Sequence, residues 1–100
     1  MGFVGANEVV NVALIGAGGM GMGVVNNLKP FEDVRVVAVA DPAGRYQDDF
    51  FYKRPVGREV AVEEYTKFYG ERFPGFVCKG YKDFRVMLDE MPEIDAVIVA

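Results

Sequence analysis

Blocks of apolar residues along the chain predict an alternation of strands and helices. Short and nearly continuous apolar runs, typical of strands covered on both faces, occur at Val9–Ile15, Val34–Ala40, Phe76–Lys79 and Ile94–Ala100. Apolar residues at helical spacing, each set stopped by a proline, predict helices at Gly21–Lys29, Glu59–Phe73 and Phe84–Met91. Residues 43–57 have no clear period, and we expect them to be mostly loop. This order predicts an α/β fold, a doubly wound parallel sheet of four strands in the order 3-2-1-4.

The two later helices each carry an apolar stripe that we expect in the core. The stripes comprise Val62, Tyr65, Phe68, Tyr69 and Phe73 in one helix, and Phe84, Met87, Leu88 and Met91 in the other. Asp83 directly precedes the last helix and is its predicted N-cap, next to Lys82 at the surface. Cys78 lies in or beside a strand, and without a histidine in the chain to activate it we expect a buried, inert thiol.

The first strand leads directly into a glycine-rich loop with the sequence GAGGMG, which a helix follows. A helix that starts directly after a strand presents free N–H groups and the positive end of its dipole, and both suit a pyrophosphate. Gly16 would permit the tight turn, Gly18 the close approach of the phosphates, and Gly21 the packing of the helix against the strand. Gly19 and Met20 would offer backbone N–H groups to the phosphates.

An acid follows at the distance that dinucleotide sites use. Asp41 ends the second strand 20 residues after Gly21, where a carboxylate can accept both hydroxyls of the adenosine ribose. The same carboxylate would repel a 2′-phosphate, which favours NAD over NADP, although NADP stays possible. Arg45 could stack on adenine or reach a 2′-phosphate, or it could be a solvated loop residue. Nearby aromatic residues could line an adenine pocket or pack locally: Tyr46, Phe50, Phe51 and Tyr52.

Composition and charge argue against several other functions. A net charge of −4 without a run of Lys or Arg disfavours a nucleic-acid partner. The chain has no histidine, so a zinc site lacks a common nitrogen ligand. A single cysteine permits no intrachain disulfide, and no apolar run approaches the ~18 residues of a membrane span. We therefore expect a cytoplasmic protein that binds neither nucleic acid nor a membrane.

Three runs of the sequence resemble one enzyme family. VNVALIGAGGMGMG, VRVVAVADP and YKDFRVMLDEMPEIDAVIVA are similar to the N-terminal half of the Rossmann domain in the glucose–fructose oxidoreductase / inositol dehydrogenase (Gfo/Idh/MocA) family. The resemblance implies an NAD(P)-dependent oxidoreductase that transfers a hydride between nicotinamide and a sugar, cyclitol or related polyol. It also implies that Gly16, Gly18 and Gly21 hold the phosphates and that Asp41 binds the ribose. The FFYKRPVGR segment resembles a longer loop found in a subset of such enzymes.

The same resemblance assigns two more residues to the cofactor site and implies that the catalytic groups are not among these residues. Pro42 would lie near the adenine, and Ala100 would lie where the last strand approaches the cofactor. In the family, the lysine of an E-K-P motif and an acid or histidine of the substrate domain handle the proton, and these groups would follow residue 100. We therefore expect residues 1–100 to be the N-terminal part of a dinucleotide-binding domain, without catalytic residues and inactive alone.

The last predicted strand, residues 94–100, is apolar and would leave an unpaired sheet edge. We therefore expect that a longer protein continues the sheet, or that a second copy pairs with this edge. Two other functions fit parts of the sequence. An NAD(H)-sensing regulatory module without catalysis would use the same loop and acid. A methyltransferase would also use a glycine loop and an acid, but its ligand has no pyrophosphate, so the G-x-G-x-x-G spacing disfavours it.

Overall fold

A computed structural model of the chain describes residues 9–48 and 54–100. Strands and helices alternate along most of these ranges. Their bounds, in chain order, are β1 (Val10–Ile15), α1 (Gly19–Asn26), β2 (Val34–Ala40), β3 (Tyr46–Asp48), β4 (Arg54–Val56), α2 (Arg58–Gly70), β5 (Lys79–Tyr81), α3 (Phe84–Glu90) and β6 (Ala96–Val99).

Four of the strands form a parallel sheet in the order β5-β2-β1-β6. The chain is therefore an α/β protein with a four-stranded parallel sheet. The two central strands pair from Val10 opposite Val34 to Ile15 opposite Ala40, with one irregularity after Val12. Because all strands run the same way, the loops after β1, β2 and β5 meet at one edge of the sheet.

Each face of the sheet has its own core. On one face, Leu14 and Val36 pack among buried side chains of α1 and α2. On the other face, Ala13 and Ala38 pack against Met87 of α3 and its neighbours. Full burial of a Leu- or Val-sized side chain stabilises the fold by about 1.5–3 kcal/mol. The nearly continuous apolar runs of β1 and β2 follow from this burial on both faces.

The structure differs from the sequence expectation between β2 and α2. Instead of a mostly irregular loop, β3 and β4 form an antiparallel hairpin apart from the main sheet. Each strand has only three residues, so no period is visible in the sequence. Phe50, Phe51 and Tyr52, which the sequence analysis considered for an adenine pocket, lie outside the described residues, as does Lys53 of the FFYKRPVGR segment.

β5 also begins later than the apolar run predicts. The N–H of Phe76 donates to the carbonyl of Phe73 (3.0 Å), and that of Cys78 donates to Oγ1 of Thr66 (3.0 Å). These backbone donors are therefore unavailable for sheet pairing, and the ladder with β2 starts at Lys79. α2 ends at Gly70. Phe73 lies in the turn that follows, where its N–H donates to the carbonyl of Tyr69.

The predicted core stripe of α3 is wrong for two of its four residues. Met87 and Met91 are buried, but Phe84 and Leu88 are 45% and 42% exposed. The prediction assumed that other parts of the protein cover a wide face of this helix, whereas only the Met87 side of α3 packs on the sheet. On β6, an edge strand, Val99 is likewise 75% exposed. Pairing of a second copy along this edge stays a prediction.

Cys78 is buried beside α2, as expected, with 1% of its surface exposed. Burial raises the pKa of its thiol from the usual 9.0 to about 12. The nucleophilic thiolate is therefore scarce at neutral pH, which agrees with an inert structural role.

We expect Cys78 to make stability depend on pH only under alkaline conditions. In the unfolded chain the thiol ionises near pH 9, whereas the folded chain keeps the proton up to about pH 12. Between these values the unfolded state binds fewer protons, so the free energy of unfolding falls as pH rises, by at most about 1.4 kcal/mol per pH unit. Below pH 9 this contribution is fully present. In urea denaturation across this range, stability should fall more steeply for wild type than for Cys78→Val. Parallel curves would show that the thiol is not desolvated.

Candidate functional site

The carboxyl ends of β1, β2 and β5 surround a cleft. Its volume is about 350 Å³, and its lining residues are Ile15, Gly16, Ala40, Asp41, Pro42, Lys82, Asp83, Phe84 and Arg85. Open parallel sheets bind ligands in crevices outside the carboxyl ends of their strands, and this volume falls within the range of small-molecule sites. The first residue of the glycine loop, Gly16, lines the cleft.

The glycine loop permits an unusually close approach of α1 to the sheet. Gly16 has a φ of +96°, and a Cβ there would lie 2.7 Å from the carbonyl oxygen of Ala100. A Cβ on Gly21 would lie only 2.1 Å from the carbonyl oxygen of Gly16. The tight turn expected at Gly16 and the close helix packing expected at Gly21 are therefore both present. Ala100, directly after β6, lies close to both positions, since a Cβ on Gly16 or Gly21 would be 3.8 or 3.3 Å from its Cβ.

Gly18 differs, because the protein's own packing does not demand a glycine there. Its φ of −74° is open to any residue. Among the described residues, a Cβ at this position would meet only the hydroxyl of Tyr46, at an ordinary 3.6 Å. The missing side chain instead leaves the outer side of the loop bare, as close approach by a ligand would require.

The first turn of α1 has backbone donors without acceptors in the described part of the chain. Gly18 is the N-cap and provides no side-chain hydrogen bond. The first bond at this end runs from the N–H of Met22 to the carbonyl of Gly18, at 3.1 Å. The N–H groups of Gly19, Met20 and Gly21 precede it and have no intrahelical partner. The Met20 side chain is 68% exposed, so only its backbone is fixed at this position.

Asp41 ties the glycine loop to the loop after β2. Its Oδ2 accepts the N–H of Ala17 at 2.6 Å, and its Oδ1 accepts the N–H of Ala43 at 2.8 Å. The carboxylate therefore lies directly beside the glycine loop. Each oxygen has a further lone pair for another donor. This structural role was not predicted, because the spacing to Gly21 does not reveal which backbone groups the carboxylate meets.

The start of α2 is bound to the same loops. Its N–H groups donate to carbonyls: Gly57 to Ala17 (3.0 Å), Arg58 to Ala43 (3.0 Å) and Glu59 to Gly44 (2.7 Å). Nη1 of Arg58 also donates to the carbonyl of Asp41, at 2.8 Å. The donors of this helix end are therefore used internally, unlike those of α1.

Arg45 points to α2. Its Nε lies 3.7 Å from Oε1 of Glu59, and its Nη2 pairs with Oε2 of Glu63. Neither sequence alternative, a cofactor contact or a free solvated side chain, included these acidic partners. Pro42 is exposed and lines the cleft, where the resemblance implied an adenine contact.

The segment before α3 provides cleft residues that the sequence analysis did not assign to a site. Asp83 caps α3 as predicted, since Oδ1 accepts the N–H of Arg85 at 2.8 Å. A side-chain hydrogen bond from Arg85 lowers the pKa of the Asp83 carboxyl. Lys82 and Phe84 flank this cap and line the cleft. The only available signal was their position, directly after a strand whose end reaches the same sheet edge.

Two alanine substitutions in α1 should have opposite effects on stability. Gly21→Ala places a methyl group against the Gly16 carbonyl, and such overpacking costs about 1–3 kcal/mol. Gly23→Ala meets nothing within 4 Å in residues 9–48 and 54–100, so the better helix propensity of alanine should stabilise the protein by about 1 kcal/mol. Urea denaturation of both variants checks this expectation. Equal effects would mean that α1 does not pack closely on the turn at Gly16.

The site has to be interpreted from its own residues. Within the described ranges, no helix is long and apolar enough to cross a membrane. The same ranges contain no group of three or more His, Cys, Asp or Glu residues that could hold a metal ion. No family model matches the chain, and no curated protein matches it either.

Proposed function

We propose that this chain is the Rossmann-type, ADP-binding part of an NAD(P) site in an oxidoreductase that acts on a sugar, cyclitol or related polyol. One observation carries the proposal. The unpartnered N–H groups at the start of α1, the bare backbone at Gly18 and the carboxylate of Asp41 lie around one glycine loop. These are the groups that a pyrophosphate and its neighbouring ribose require.

The pyrophosphate would bind at the start of α1. The N–H groups of Gly19 and Met20 would donate to its oxygens, and the helix dipole would favour its negative charge. The dipole of α2 is not available in the same way, because the carbonyls of Ala17, Ala43 and Gly44 already accept its first N–H groups.

The adenosine would extend from the loop into the cleft. Asp41 would accept the ribose hydroxyls with the lone pairs that Ala17 and Ala43 leave free. The adenine would lie between Pro42 and Phe84, both of which line the cleft. Exposure of 45% of Phe84 supports this arrangement, because the ring is available for contact.

The oxidoreductase part of the proposal is supported by the resemblance to the glucose–fructose oxidoreductase / inositol dehydrogenase family. The bound cofactor would supply hydride transfer between its nicotinamide and a carbinol carbon. In that family a lysine of an E-K-P motif and an acid or histidine handle the proton, and this sequence contains no histidine and no Glu-Lys-Pro tripeptide, so we assign the proton transfer to none of its residues. The residues present would bind and orient the adenosine half of the cofactor. We expect this chain to bind NAD but not to oxidise a polyol.

Calorimetric titration with NAD and NADP tests the proposal. Wild type should bind NAD more tightly than NADP, because the Asp41 carboxylate repels a 2′-phosphate. Asp41→Ala should weaken NAD binding about tenfold or more, since hydrogen bonds to a charged acceptor are worth about 1.5–3 kcal/mol. It should weaken NADP binding less, because the repulsion disappears as well.

Asp95→Ala is the matched control. Oδ2 of Asp95 also accepts a backbone N–H, that of Asn11 at 2.9 Å, but at the start of β1 and away from the cleft. This variant should lose stability without a change in the ratio of NAD to NADP affinity. If Asp41→Ala weakens both dinucleotides equally, Asp41 does not discriminate between them. Binding of S-adenosylmethionine with no response to either dinucleotide would refute the pyrophosphate site.

A further inference from the structure

Two carboxylates hold the guanidinium of Arg45, in the loop that starts at the proposed ribose ligand Asp41. Arg45 follows Asp41 by four residues, and it pairs with Glu59 and Glu63 of α2. The side chains of these three residues are 44%, 54% and 67% exposed. Exposed ion pairs add little to stability, so the fold does not depend on this arrangement.

One of the two acids, Glu59, also lies against the loop that would approach the 2′ position of the ribose. Oε2 of Glu59 lies 2.6 Å from where a Cβ on Gly44 would stand. This carboxylate is therefore against the backbone of the loop, between Asp41 and Arg45 in sequence. A 2′-phosphate entering beside Asp41 would meet negative charge, while the arginine that could neutralise it is paired with acids.

Arg58 does not replace Arg45 as a phosphate ligand. Its Nη1 donates to the backbone carbonyl of Asp41 at 2.8 Å and lies 3.5 Å from that of Pro42. These contacts hold the guanidinium against the loop backbone. Of the side chains described around the loop, the carboxylates of Asp41, Glu59 and Glu63 and the guanidiniums of Arg45 and Arg58 are the charged groups that these contacts involve.

We infer that Glu59 and Glu63 determine cofactor specificity by keeping Arg45 away from the 2′ position, so that the site accepts NAD and rejects NADP. This inference rests on the proposed dinucleotide function. Arginine binds phosphate bidentately and stays charged. Released from the two acids, Arg45 can turn to a 2′-phosphate and reverse part of the discrimination that Asp41 imposes.

Calorimetric titration of three proteins with NAD and NADP tests the inference: wild type, Glu59→Gln/Glu63→Gln, and the same pair combined with Arg45→Met. In the double variant the affinity for NADP should rise about tenfold, as one charge-assisted contact allows, while the affinity for NAD changes less than about twofold. In the triple variant the gain for NADP should disappear. Thermal denaturation should show all three proteins folded, because the substituted side chains are exposed.

Glu32→Gln/Glu71→Gln is the charge-matched control. Glu32 precedes β2 and Glu71 follows α2, so both exposed acids lie at the far ends of the elements that form the site. An equal gain for NADP in this control would overturn the inference in favour of a general effect of net charge. No gain in the Glu59/Glu63 variant, or a gain that survives Arg45→Met, would also overturn it. If wild type binds neither dinucleotide, the proposed function itself is wrong.

Discussion

The candidate site depends on how closely α1 approaches the end of β1. A Cβ on Gly21 would lie 2.1 Å from the carbonyl oxygen of Gly16, so only the hydrogen atom of a glycine fits there. This contact brings the start of α1 directly over the turn, with Ala100, the residue after β6, close to both glycines. The first turn of α1 therefore lies at the sheet edge where the loops after β2 and β5 also lie. A side chain at either glycine would push the helix, and its donors, away from that edge.

A second constraint fixes the neighbouring loop. The Asp41 carboxylate joins the glycine loop to residue 43, and the first turn of α2 holds residues 43 and 44 by their carbonyls. Two helices thus contribute in different ways. α1 leaves its first donors open, whereas α2 uses its own to hold the loop that carries Asp41. The chemistry of the site is local, but its geometry is set by contacts between segments distant in sequence.

The bounds of an element with a strong hydrophobic pattern could be predicted well. β2 has the expected bounds, Val34–Ala40, because a β-branched run buried on both faces ends at a polar residue and a proline. The turn at Gly16 and the cap at Asp83 were also predictable, since each depends on one residue type in a local conformation.

What could not be predicted depends on tertiary neighbours. The hairpin strands are too short to show a period, and β5 starts late because the hydroxyl of Thr66 takes the N–H of Cys78. Phe84 enters the cleft only because β5 ends beside β2. The carboxylates that hold Arg45 belong to α2, and no spacing rule connects them to that arginine.

The hydrogen bonds at the start of α2 have a consequence for dynamics. The loop after β2 cannot move without breaking its bonds to the N–H groups of Arg58 and Glu59, so loop and helix end should open together as one cooperative unit. The entropy of ordering the loop is then lost during folding and not when a ligand arrives. Amide hydrogens in that first helical turn would exchange with solvent at the rate at which the ligand loop opens, and they would report its motion from outside the cleft.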